Sequence, residues 1–120
     1  MKKDNLIQNK SFDFALRIIK LSKYLSSRNE RILANQILRS GTSVGANIEE
    51  AIGAQSDKDF FAKITISYKE ARETHYWLRL LKESKILEEK LALSLLADSE
   101  EIIKIIGKIQ KSLKIKNTEN

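Results

Sequence analysis

Neither cysteine nor proline occurs in this 120-residue chain, glycine occurs four times, and histidine and tryptophan once each. Without cysteine there can be no disulfide framework, thiol nucleophile or thiolate metal site, which fits a reducing compartment. Without proline and with little glycine, few positions interrupt a helix. No apolar run reaches the roughly 18 residues of a membrane span, and the lysines at the start are not followed by the apolar core of a signal peptide. The expectation is a cytoplasmic protein with no membrane partner.

Leu, Ile, Lys, Glu, Ala and Ser dominate what remains, a composition that favours an all-α fold. At 120 residues the chain is long enough to bury a core without staples, and residues 1–120 read as one domain. The net charge of +6 is unevenly spread. Residues 1–31 hold eight Lys/Arg against three Asp/Glu, residues 32–100 nine against eleven, and residues 101–120 five against two. Both ends are basic and the middle is not.

Apolar spacing predicts four helices, at about 11–25, 29–54, 56–83 and 88–113, with 114–120 a frayed tail. Ser11 reads as the N-cap of the first, whose stripe is Phe14, Ile18, Leu21 and Leu25. Leu33, Ile37, Gly41, Val44, Ile48 and Ile52 form the stripe of the second. Ser56 and Asp59 open the third in the manner of a capping box, and Phe61, Ile64, Tyr68, Ala71, His75 and Leu78 share a face. Short connections make successive helices antiparallel neighbours, so the predicted fold is an antiparallel up-down-up-down four-helix bundle, with the first and fourth helices adjacent. In the fourth helix, Leu91, Leu95, Ile102, Ile106, Ile109 and Leu113 make one stripe that Leu96, Ile103 and Ile105 widen. The first carries a second stripe of Phe12, Leu16 and Ile19. This is more apolar surface than one core uses, and it predicts a homo-oligomer.

Residues 38–52 are the most unusual stretch. Gly41 and Gly45 lie four apart on one helix face, while Arg39, Ser43, Asn47 and Glu50 follow on another. The glycines are not a phosphate loop, since no Gly-Lys-Ser/Thr ending and no preceding strand accompany them; they read as small residues for close helix packing. Lys63, Ser67, Glu70 and Thr74 make a polar line on the third helix, ending at Trp77. Two readings of the facing lines are open. They form a groove for a ligand or partner, or an interhelical network in which Arg39 or Lys63 pairs with Glu50 or Glu70.

No catalytic constellation is visible. His75 has Arg72 three residues before it and no second histidine exists, which excludes the Glu-x-x-His pairs of a di-metal bundle. Glu49 and Glu50 point about 100° apart on a helix and cannot act as a carboxylate pair. Ser40 and Ser43 lack a histidine partner, so a hydrolase is unsupported and no cofactor is expected. Basic stripes are the other feature: Arg17, Lys20 and Lys23 on the first helix, and Lys104, Lys108 and Lys111 on the fourth. Such stripes neutralise nucleic-acid phosphates, or are simply solvated lysines. No aromatic platform is visible beside them.

Leu38-Arg-Ser-Gly-Thr-Ser-Val-Gly-Ala-Asn-Ile-Glu-Glu-Ala51, then Ser56-Asp-Lys-Asp-Phe60 and Ser67-Tyr-Lys-Glu-Ala-Arg-Glu-Thr74, together resemble the bacterial four-helix-bundle proteins encoded within intervening sequences of 23S ribosomal RNA genes. The likeness covers nearly the whole chain, and the family's motif falls on Arg39, Ser43, Asn47, Glu50, Lys58, Phe60, Ser67 and Glu70. More distantly, the family is similar to the accessory variability proteins of diversity-generating retroelements. The resemblance implies no enzymatic activity; it implies a homopentamer of four-helix protomers, binding to RNA or DNA, and a protein partner such as a reverse transcriptase. A structural or adaptor protein whose oligomer presents a protein-binding surface is the alternative.

Overall fold

Helix follows helix with only short breaks: α1 runs Lys2–Ser27, α2 Arg31–Ile52, α3 Asp57–Glu83 and α4 Glu89–Glu119. The structure, a computed structural model, describes residues 2–119, and side chains from 6 to 116. Among them there is no strand, and the four helices form an antiparallel up-down-up-down bundle of 52 × 22 × 21 Å.

The breaks follow from local chemistry. Asn29 takes a left-handed φ of 67°, a conformation asparagine tolerates, and lets Glu30 donate its N–H to Leu25 O at 2.9 Å as α1 ends. Ser56 is the N-cap of α3, its hydroxyl accepting from the Asp59 N–H at 3.1 Å, with Asp57 and Asp59 in the positive first turn. Glu88 does the same service before α4, accepting from the Leu91 N–H at 3.0 Å. Between α3 and α4, Leu87 folds back to close the end of the core and donates its N–H to Leu81 O.

Phe14, Ile18, Leu21 and Leu25 of α1 meet Ile37, Val44 and Ile48 of α2, Ile64, Ala71, Leu78 and Leu81 of α3, and Leu95, Ile102 and Ile106 of α4 in one core. Fully burying such side chains contributes about 1.5–3 kcal/mol each before entropy is counted. Several residues of the expected stripes sit elsewhere. Ile52 is 44% exposed and Ala51, 100° away on the helix, turns inward in its place. Phe61, Tyr68 and His75 are only half-buried, because α3 is centred on Ser67, Ala71, Thr74 and Leu78. Leu91 is 40% exposed.

α1 begins at Lys2, not near Ser11. Ser11 is buried mid-helix, its hydroxyl donating to Gln8 O at 3.2 Å, the bond of a serine inside a helix, whereas an N-cap serine accepts from an N–H. At the other end α4 continues through residues 114–119, where a frayed tail was expected. The three consecutive seams, α1–α2, α2–α3 and α3–α4, are closely packed. α1 and α4 meet more loosely, through Lys10–Glu101 (2.5 Å) and Arg17–Asp98 (2.6 Å).

Candidate nucleic-acid interface

α2 presents its small residues to one neighbour and its polar residues to the other. A Cβ on Gly41 would lie 2.7 Å from Ile18 Cγ2 and 2.8 Å from Ile18 Cγ1, and one on Gly45 would lie 3.4 Å from the Ser11 carbonyl oxygen. Both glycines therefore face α1.

The α2–α3 seam holds the polar line. Ser67 is fully buried and its hydroxyl donates to Val44 O at 2.8 Å, while the buried hydroxyls of Thr74 and Ser40 lie 2.8 Å apart. Outside them, the Arg39 guanidinium bonds Glu70 at 3.2 Å and also Glu73, and Lys63 pairs with Glu50 at 2.9 Å. Trp77 donates its indole N–H to Glu73 at 3.0 Å. The bond from Arg39 holds the Glu73 carboxyl below the usual carboxylate range, against the opposing effect of burial, and raises Arg39 in turn. Lys63 is likewise raised by its bond to Glu50. Ser43 and Asn47 do not reach α3: Ser43 donates to Arg39 O at 2.6 Å and Asn47 to Ser43 O at 2.8 Å, both within α2. Lys58 is exposed, and Phe60 packs against the core at the start of α3.

The two basic stripes occupy different grooves. Arg17 is tied to Asp98, and Arg17 and Lys20 border an α1–α4 groove floored by Leu21, Leu91 and Leu95; Lys23 is exposed nearby on α1. Lys104 lines the α3–α4 groove with Arg72, His75, Tyr76, Arg79, Glu100 and Ile103, while Lys108 and Lys111 are exposed one and two turns further along α4. The stripes also lie apart along the bundle. Antiparallel pairing sets Arg17 beside Asp98 and Leu21 beside Leu91 and Leu95, which puts Lys104 to Lys111 roughly 15–30 Å from Lys20 and Lys23 at 1.5 Å per residue. Adjacency of α1 and α4 therefore does not bring the Arg17–Lys23 stripe together with the Lys104–Lys111 stripe.

What the α4 stripe gains instead is α3. Arg72 and Arg79 form no salt bridge among the described residues, and Arg72 lies over the Tyr68 ring at 5.9 Å. His75, half-buried, bonds Glu100 at 3.1 Å across the groove. Tyr76 is 50% exposed on its wall, so an aromatic ring does accompany the lysines, contrary to the sequence reading. Arg72, Tyr76 and Arg79 recur at i, i+4 and i+7, a signal present in the chain but hidden by the acidic average of its middle. No group of three or more His, Cys, Asp or Glu comes together among the described residues, and no described helix is long and apolar enough to cross a membrane.

Fold and site define an all-α four-helix bundle with a polar α2–α3 seam and a basic α3–α4 groove. The profile of the 23S rRNA-intervening sequence protein family matches residues 3–108, and the chain belongs to that family. It is also similar, at 47% identity and a TM-score of 0.88, to a crystal structure at 1.70 Å resolution of a protein of unknown function from the S23 ribosomal protein family of Bacteroides thetaiotaomicron VPI-5482. That likeness covers 91% of this chain and 98% of the other. A comparison with curated proteins finds no match.

Proposed function

We propose that this protein is a non-enzymatic, cytoplasmic homo-oligomer whose α3–α4 groove binds the phosphate backbone of RNA or DNA. The observation that carries the reading is the meeting of Arg72 and Arg79 from α3 with Lys104 from α4 in one open groove, where Glu100 is the single carboxylate and is engaged by His75. Lys108 and Lys111 extend the same face. Guanidinium and ammonium groups that form no salt bridge among the described residues are suited to phosphate oxygens, and their use of phosphate carries no base sequence.

Oligomer formation is supported by α1, whose outer stripe of Phe12, Leu16 and Ile19 is 63%, 48% and 37% exposed. The subunit count of five follows the family resemblance, and light scattering tests it. The same stripe favours a second reading, an adaptor that holds a protein partner such as a reverse transcriptase. Recovery of one specific protein through nuclease and high-salt washes would support it.

Filter binding of labelled RNA and DNA across a salt series tests the main reading. Three groove cations that each neutralise a phosphate predict a log–log salt slope of about −2 to −3. Failure to retain either nucleic acid at about 50 mM salt, where such contacts are strong, overturns it.

A further inference from the structure

We infer that the α3–α4 groove takes unpaired nucleic acid in preference to duplex, with one base stacked on Tyr76, an inference that rests on the phosphate-binding reading above. Cations alone do not discriminate, because single strands and duplexes both offer phosphates. Two features of the groove are of no use to phosphate. Tyr76 exposes half its surface on the groove wall, between Arg72 four residues before it and Arg79 three after, and Ile103 gives the groove an apolar floor.

The Tyr76 ring also has an aromatic neighbour. It meets Trp77 edge-on with centroids 5.4 Å apart and planes at 62°, and Trp77 is itself anchored to Glu73. A positioned ring loses little freedom when a base lands on it. Arg72 lies over Tyr68, on the side away from Tyr76, so its charge borders the same groove one turn further along α3. Bases inside a duplex have both faces covered by neighbours, so only an unpaired base offers a face to Tyr76 while its flanking phosphates reach Arg72, Arg79 and Lys104.

The test uses the full chain and fluorescence anisotropy with three labelled probes of equal phosphate count: oligo-U RNA, oligo-T DNA and a blunt duplex of two annealed strands. At matched salt the single strands are expected to bind about five- to tenfold tighter than the duplex. Y76A removes that preference with the salt slope unchanged, and Y76F retains it, since a phenyl ring stacks equally well. Emission of Trp77, the chain's one tryptophan, changes on adding single strand but not duplex. A preference for one strand over the other assigns the source as RNA or DNA, and either supports the inference. Equal affinity of the wild type for duplex and single strand, or a folded Y76A that keeps the preference, overturns base stacking and leaves phosphate binding standing. Absence of binding to all three probes overturns both.

Discussion

The polar residues of α2 and the cations of the α3–α4 groove look alike in the sequence, as charged or hydroxyl side chains recurring every three or four residues, yet they end in opposite situations. Along α2 each has a use inside the protein. Arg39 is taken by Glu70 and Glu73, Glu50 by Lys63, Ser43 and Asn47 by their own helix, and the glycines by α1. In the groove Arg72, Arg79 and Lys104 face solvent with one carboxylate among them. What differs is the opposing helix: α3 offers α2 carboxylates and hydroxyls, whereas α4 meets α3's arginines with lysine. The family motif is divided equally between α2 and α3, and four of its residues, Arg39, Glu50, Ser67 and Glu70, bond across the seam between them, while the surplus of charge lies elsewhere.

The strongest way to break that contrast is to reverse the charge of the groove. R72E combined with K104E removes two phosphate contacts and sets two carboxylates in their place. Nucleic-acid affinity at about 100 mM salt is expected to fall about a hundredfold, equivalent to roughly 2.7 kcal/mol, with a shallower salt slope and an unchanged melting curve. K20E with K23E, on the far groove, should change affinity much less. Comparable losses from both pairs, read by anisotropy, would spread the interface over the whole bundle and erase the distinction.

How much of this is legible from the residues alone depends on whether a feature belongs to one helix or two. The stripe Phe14, Ile18, Leu21 and Leu25 is a property of one helix and is buried as expected. So is the Ser56 cap. Asn47 is ambiguous in sequence because its amide has two destinations of similar energy, a facing helix or the carbonyl four residues back, and it takes the second. The groove needs two helices at a fixed rotation. Arg72, Tyr76 and Arg79 stand among Glu70, Glu73 and Glu83, and only the turn of α3 separates the cations, toward α4, from Glu70 and Glu73, toward α2. Averaging charge along the chain cancels them. Ser11 misleads for a related reason, since a serine hydroxyl that bonds a carbonyl three residues back serves the interior of a helix as well as a cap serves its start.

Two substitutions on α2 sharpen the structural side of the contrast. G41A places a methyl group against the branched, fully buried Ile18, and overpacking of about 1–3 kcal/mol outweighs the helix propensity gained over glycine, about 1 kcal/mol. The net expectation is destabilisation by up to about 2 kcal/mol in denaturant unfolding. G45A meets the Ser11 backbone at 3.4 Å, an ordinary contact, and should be neutral or stabilising by up to about 1 kcal/mol. Equal responses at the two sites would mean that α1 is free to shift away from α2.

The smallest effect tests the seam itself. Glu73 is held below the usual carboxylate range chiefly by Arg39, so ionisation of Glu73 contributes stability at pH values above its unfolded pKa of about 4.3, and that contribution is lost as pH falls through the lower, folded value. The side chains of Arg39 and Glu73 are 49% and 34% exposed, and solvent screening limits the pair to about 1 kcal/mol or less. E73Q keeps an oxygen that can accept from Trp77 and Arg39 but removes the charge. Denaturant unfolding should therefore show the variant slightly weaker than the wild type at pH 7, with the gap closing as pH falls through the lowered folded value of Glu73. A gap that persists at low pH would assign the position to packing instead of charge. Nucleic-acid affinity should be the same in both proteins; if E73Q alters it, the seam and the groove are one surface, and the separation of the two sides of α3 fails.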